Sequence, residues 1–278
     1  MRFIPYSDIR DKLVPSVEDF DRIIDLARAA IDQNEYVSWA ILAGSAVRHM
    51  LSPASDIDLV VCLGKGLRSF EIVEALAQIS AISADAAEHG VPFEPHVVTE
   101  DELEAGLHTL RHGYARHLNW AIAKGGLIKG SIDCVPGLPG NSRDDLIGYV
   151  ARKIDKARGN FIRQRGSGIG IRGDSWYDWL GDILSVHRHV LFRFQDMYDM
   201  HDCFDPDVLL RDTGAIEDFL HLDAMRLEYA VCLGQQLTNP NPAVWYEVET
   251  RVADCGIVLL SFLGSIENYL VRTAPAPI

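Results

Sequence analysis

Residues 43 to 61 read A-G-S-A-V-R-H-M-L-S-P-A-S-D-I-D-L-V-V, and within them Asp56 and Asp58 alternate with Ile57 and Leu59. Side chains two apart on an extended strand point the same way, so both carboxylates enter one small space. Like charges at that spacing repel unless a cation joins them. Magnesium fits such a pair, because it takes hard oxygen ligands and keeps waters and substrate phosphates in its remaining positions. Upstream, Gly44 and Ser45 follow a short apolar run. A glycine there lets the backbone approach a phosphate, while the N–H groups of a starting helix and the serine hydroxyl donate to its oxygens. Arg48 stands about one helical turn further on and can reach the same anion. Taken singly these residues read as a helix cap and two solvated strand-end acids. Taken together they describe a site for a metal ion and a polyphosphate.

The elements that must position them follow from hydrophobic spacing. In residues 17 to 33, Phe20, Ile23, Ile24, Leu26, Ala27 and Ile31 recur with helical period, which predicts an amphipathic helix. Val37 to Leu42 reads as a short buried strand ending at Gly44-Ser45, and Ala46 to Leu51 as a brief helix stopped by Ser52-Pro53. Asp58 to Leu63 is the next strand, followed by a helix over Arg68 to Glu88 and a third strand in F-E-P-H-V-V-T. Thr99 with Glu102 has the spacing of a capping box, and the helix it opens is expected to run through Leu103 and Leu110 toward Ala123. A brief strand, Leu127 to Lys129, precedes a Pro- and Gly-rich linker from Cys134 to Gly140. Beyond Ser142 the pattern becomes helical, in segments 142 to 165, 175 to 200, 214 to 237 and 242 to 271. The expected fold is an α/β N-terminal domain over residues 1–138 with a short mixed sheet, followed by an all-α helical bundle over 139–278.

The G-S at 44 and 45, its spacer and S-D-I-D-L at 55 to 59 resemble the signature of the nucleotidyltransferase superfamily related to DNA polymerase β. The strand and helix order to about residue 132 is similar to the whole catalytic domain of that superfamily. The helical second half, with the G-S-A opening, looks closest to the aminoglycoside adenylyltransferases of the streptomycin and spectinomycin type. The resemblance implies transfer of a nucleoside monophosphate, most often AMP from ATP, to an acceptor hydroxyl. It also implies magnesium, in two-metal form, held by two or three carboxylates. The superfamily places a third carboxylate on the strand after the D-h-D strand and a helix; Glu94 occupies that place, either as a metal ligand or as general base on the acceptor. The sequence departs from the family at His49, where many relatives have glycine after the arginine, and a side chain there is less comfortable with an unusual backbone angle.

Composition narrows the partners. The net charge of −14 argues against a general affinity for nucleic acid and suits a cationic small substrate. No run of eighteen apolar residues predicts a membrane span, and the N-terminus lacks the apolar core of a secretory signal, so a cytoplasmic location is expected. Five cysteines, Cys62, Cys134, Cys203, Cys232 and Cys255, have neither disulfide nor zinc spacing and read as free thiols.

In the helical half, Arg143, Arg152, Lys153, Lys156, Arg158, Arg163 and Arg165 form a local basic face. It could meet the triphosphate, with Lys153 and Lys156 as the first residues to test, meet an acidic partner, or simply be solvated. Asp178 and Asp182 lie among Trp176, Tyr177 and Trp179, a mixture that suits a polycationic sugar as well as ordinary packing. His187 and His189 read as ordinary histidines rather than ligands. A fused RNase of the R-x4–6-H kind is not indicated, since the one match, Arg111 to His117, falls in the α/β half. The expected activity is transfer of AMP from ATP to a hydroxyl of a small molecule such as an aminoglycoside, an antibiotic-resistance activity. The alternative is an antitoxin-like or regulatory enzyme of the same type that modifies or binds a partner protein.

Overall fold

The computed structural model describes residues 1–106, 118, 121–131, 143–166, 173–198 and 206–272. In chain order the N-terminal elements are α1 (Tyr6–Arg10), α2 (Val17–Gln33), β1 (Val37–Leu42), α3 (Gly44–Val47), β2 (Ile57–Leu63), α4 (Ser69–Glu88), β3 (Phe93–Thr99), α5 (Glu100–Ala105) and β4 (Leu127–Lys129). The helical elements that follow are α6 (Arg143–Gly166), α7 (Asp174–Tyr198), α8 (Pro206–Thr213), α9 (Ile216–Thr238), α10 (Pro242–Asp254) and α11 (Gly256–Arg272). The protein is therefore mixed α/β at its N-terminal side and mostly helical beyond. It divides into two units, Leu13–Gly140 and a second made of Met1–Lys12 with Asn141–Ile278.

The first unit is built on a four-stranded mixed sheet of order β3-β2-β1-β4. Strand β1 pairs antiparallel with β2 and with β4, whereas β2 and β3 run parallel, the crossover between them being made by α4. Strand β2 is buried on both faces: Leu59, Val61 and Leu63 join one apolar cluster and Val60 and Cys62 another. Its I-D-L-V-V-C-L sequence shows why, since an unbroken apolar run is what a strand covered on both sides requires. Asp58 is the interruption, and it sits at the start of the strand.

Helix α2 starts at a capping box, with Ser16 Oγ accepting from the Asp19 amide at 3.2 Å and the Asp19 carboxylate accepting from the Ser16 amide at 2.8 Å. It buries Phe20, Ile23, Ile24, Ala27 and Ile31. Leu26, grouped with that face by spacing, is 36% exposed. A second capping box opens α5, where Thr99 Oγ1 accepts from the Glu102 amide at 3.1 Å and Glu102 accepts from the Thr99 amide at 2.8 Å. The long helix expected from Thr99 toward Ala123 instead closes at Ala105, because Gly106 adopts φ +66° and its amide turns back to the carbonyl groups of Glu102 and Leu103. The linker at 134–140, Cys134, Cys203 and the Arg111–His117 pair lie outside the described residues.

In the second unit α6 packs against α11 and α7, and α7 also against α9 and α10. The stretch expected as one helix over 242 to 271 is two, broken at Cys255. By length and composition Pro242–Arg272 would suffice to cross a membrane. Here its Trp245, Val248, Val252, Phe262, Leu263 and Ile266 are buried inside the protein, as in the core of a helical bundle. Met1–Lys12, expected with the α/β domain, groups with the helices for a local reason. The Phe3 ring stacks on Tyr229 at 4.9 Å and lies 5.4 Å from Trp245, and the Ile4 amide donates to the buried Tyr229 hydroxyl at 2.8 Å. Cys62, Cys232 and Cys255 are buried free thiols.

Candidate metal centre

The sheet register assembles the centre. In the parallel β2–β3 pair Asp58 stands opposite Glu94 and Val60 opposite His96. Glu94 and His96 are two apart on β3 and so share a face with each other, as Asp58 and Val60 do on β2. Donor atoms of Asp58, Glu94 and His96 all lie within 4.8 Å of one another, a grouping that could hold a metal ion. Glu94 is exposed while Asp58 and His96 are half-buried, so the cluster opens outward at the edge strand.

The turn before β2 closes on the same carboxylate. Gly44 has φ +66°, and a Cβ built on it would fall 2.1 Å from Asp58 Oδ2. Glycine is therefore required at this position twice, once by the left-handed backbone and once by the close approach. The Ala43 amide donates to the Asp58 carbonyl at 2.9 Å, which ties the turn to the strand. Ser45 Oγ donates to the Asp56 carbonyl at 3.3 Å, so in this structure the hydroxyl braces the loop that carries the aspartates. The short helix over Gly44–Val47 begins two residues before the sequence-predicted start at Ala46 and has no side-chain cap. Past its end His49 takes φ +53°, the left-handed region that favours glycine; the histidine adopts it at a cost of about 1 kcal/mol.

Electrostatics mark Asp58 as the strained member. Its carboxyl is pushed up to about 7, first by burial and then by the charges of Asp56 and Glu94, with Arg48 acting in the opposite direction. A dication at this point would reverse the preference, since it stabilises the ionised form that burial and like charge oppose. Asp56, expected from the sequence to be Asp58's partner on the metal, is near enough to raise its proton affinity but does not belong to the 4.8 Å grouping. His96 takes that third place instead. The sequence held a signal for it, because E-P-H puts a nitrogen donor two residues beyond Glu94 on the same strand face.

The remaining sequence-predicted residues lie in the helical unit. Lys153 Nζ is 3.0 Å from Asp182 Oδ1, and Lys156 pairs with Asp182 Oδ2. Lys153 also stands 5.8 Å from the Tyr149 ring centre, over which the Arg193 guanidinium lies at 4.0 Å. Asp178 is exposed. The structure thus brings Lys153, Lys156 and Asp182 together around one carboxylate and leaves Asp178 outside that group. No protein-family model matches this chain, and a search of curated proteins likewise finds no significant match.

Proposed function

We propose that the protein is a divalent-metal-dependent nucleotidyltransferase, moving a nucleoside monophosphate, AMP from ATP, onto a hydroxyl of a small molecule of the aminoglycoside class. The observation that carries this reading is the contact between Gly44 and the Asp58 carboxylate, at which an added Cβ would lie 2.1 Å from Oδ2. It puts a side-chain-free backbone turn, the kind that admits a phosphate, directly against a carboxylate group suited to a metal. A triphosphate bridging the two needs both features in one place.

The donor set fits a dication: Asp58 and Glu94 offer carboxylate oxygens and His96 a ring nitrogen. Magnesium bound there supplies charge neutralisation for the triphosphate and for the pyrophosphate that leaves. Asp58 anchors the ion, Asp56 adds to the negative field that attracts it, and Glu94 presents its carboxylate at the exposed edge. Gly44 admits the phosphate chain, and Ser45 and Arg48 border it. An acceptor oxygen attacks the α-phosphorus in line, the bond to the pyrophosphate oxygen breaks, and the hydroxyl proton passes to water.

The test is incubation of the full chain with magnesium, each of the four nucleoside triphosphates, and a panel of aminocyclitols, simple alcohols and cell lysate. Pyrophosphate release and the acceptor's mass gain are read. A small-molecule adduct lost in Asp58→Asn supports the proposal. A protein adduct shifts it to the regulatory alternative, and turnover unaffected by Asp58→Asn overturns it.

A further inference from the structure

We propose that His96 is a direct ligand of the bound dication, so that Asp58, Glu94 and His96 form a mixed carboxylate–imidazole centre preferring a first-row transition metal, manganese or cobalt, to magnesium. This rests on the metal role proposed for the cluster and adds the identity of its third donor and the consequence for the ion.

Three observations support it. The donor atoms of the three residues lie within 4.8 Å of one another, the span that ligands of one ion occupy. The position of His96 is set by the parallel register, in which Asp58 faces Glu94 and Val60 faces His96; a sheet fixes this placement, whereas a loop would let it drift. The charge balance also favours imidazole at the third position. Asp58 and Glu94, opposite each other in the register, already bring two carboxylates, and an imidazole nitrogen adds a bond to the ion without adding a negative charge.

The choice of ion follows from the donor chemistry. Magnesium demands near-ideal octahedral oxygen coordination and parts reluctantly with water. Imidazole suits the later first-row dications, and affinity for a mixed nitrogen and oxygen site rises from manganese through cobalt. A centre with one nitrogen among its protein ligands therefore tolerates magnesium and prefers its transition-metal neighbours. The same residue offers a spectroscopic handle, because a nitrogen bound to manganese couples its nuclear spin to the unpaired electrons.

The full chain, stripped with chelator, is titrated with Mn2+ and with Mg2+ as competitor. Free Mn2+ is counted by electron paramagnetic resonance, and bound Mn2+ is examined by pulsed methods for nitrogen modulation. The wild type should bind Mn2+ roughly tenfold or more tighter than Mg2+, with nitrogen modulation present. His96→Gln should lose the modulation and most of the preference. His96→Asp should bind both ions without modulation, which shows that the fold survives substitution at this position. Mn2+ bound without nitrogen modulation, or an unchanged ion preference in His96→Gln, overturns the inference; Mg2+-dependent turnover that still requires Asp58 would then leave the transferase reading intact. A wild-type chain that binds neither ion overturns both.

Discussion

The acids of the helical unit and those at the edge of the sheet keep opposite company. Asp182 is met by Lys153 and Lys156. Asp223 takes the Arg188 guanidinium on both oxygens, at 2.6 and 2.8 Å, and the buried Glu249 accepts from Trp176 Nε1 at 2.8 Å. At the sheet edge Asp58 has Asp56 and Glu94 for neighbours, and Arg48 only partly offsets them. Their proton affinities diverge accordingly. The Arg188 hydrogen bonds hold the Asp223 carboxyl below its usual range, whereas burial and like charge push Asp58 up to about 7. Asp182 and Asp223 are thus paired with cations of their own unit. The sheet-edge acids instead crowd like charge, an arrangement that a bound cation would relieve.

The largest test of that contrast is activity. Asp58→Asn should lower kcat/KM for nucleotidyl transfer by about a thousandfold, roughly 4 kcal/mol of lost transition-state stabilisation. Asp223→Asn should leave it within about threefold, since nothing places Asp223 beside a reacting group. Single-turnover pyrophosphate release measures both. Comparable losses in the two variants would erase the distinction.

A second test uses acid on the helical unit. His187 is fully buried, and among the described residues neither of its ring nitrogens finds a hydrogen bond, although Nε2 lies 3.5 Å from Asp223. Burial is the main cause that lowers its pKa to about 4, with the Arg188 and Arg226 charges adding to it and Asp223 opposing it. The unfolded chain, whose histidine titrates near 6.5, therefore takes up the proton first. The associated stability is complete above pH 6.5 and is lost as pH falls toward 4, by up to about 3 kcal/mol. Urea unfolding at pH 7 and pH 4.5 should show the loss, and His187→Gln should flatten it.

Smaller again is the ion pair beneath that histidine. Asp223→Asn leaves Arg188 without its carboxylate in a half-buried setting and should destabilise the protein by about 2 kcal/mol, less than for a fully buried pair. Chemical denaturation at neutral pH reads it directly.

What was legible in the sequence follows the same division. The D-I-D and G-S stretches are local chemistry, and a short spacing sufficed to single out Gly44 and Asp58, which the structure brings into contact. The positive φ of His49 was also foreseeable, as the place where glycine would be expected. His96 went unread although E-P-H sets it two residues beyond Glu94 on one strand face, because its other companion, Asp58, comes from a different strand and only the β2–β3 register brings it alongside. The long helices declared themselves by period, yet the stop of α5 at Ala105, the short helices α1 and α8 and the break at Cys255 did not, the last because the apolar pattern continues through Gly256. Glycine is there because an added Cβ would lie 3.0 Å from the Trp179 ring, a tertiary fact. Likewise no rule of spacing links Lys153 and Lys156 to Asp182, and nothing in M-R-F-I-P says that Phe3 will stack on Tyr229. Local chemistry was readable; pairings set by packing were not.

The smallest effect bears hardest on the comparison, because it concerns a sign. Asp58 has a folded-state pKa of about 7, above the ordinary 3.8, so without a cation the folded chain gives up stability as pH rises from about 4 through 7. Replacing the carboxylate with a neutral amide removes both the burial of a charge and its repulsion from Asp56 and Glu94. Metal-free Asp58→Asn should therefore be more stable than the wild type at pH 8, by about 1 kcal/mol, while the same exchange at Asp223 destabilises. Saturating Mn2+ should invert the order at Asp58, since only the wild type gains the free energy of binding. Thermal unfolding at pH 8 with chelator and then with Mn2+ measures both halves. A metal-free Asp58→Asn chain that melts below the wild type would mean that the sheet-edge acids, like those of the helices, serve the fold first.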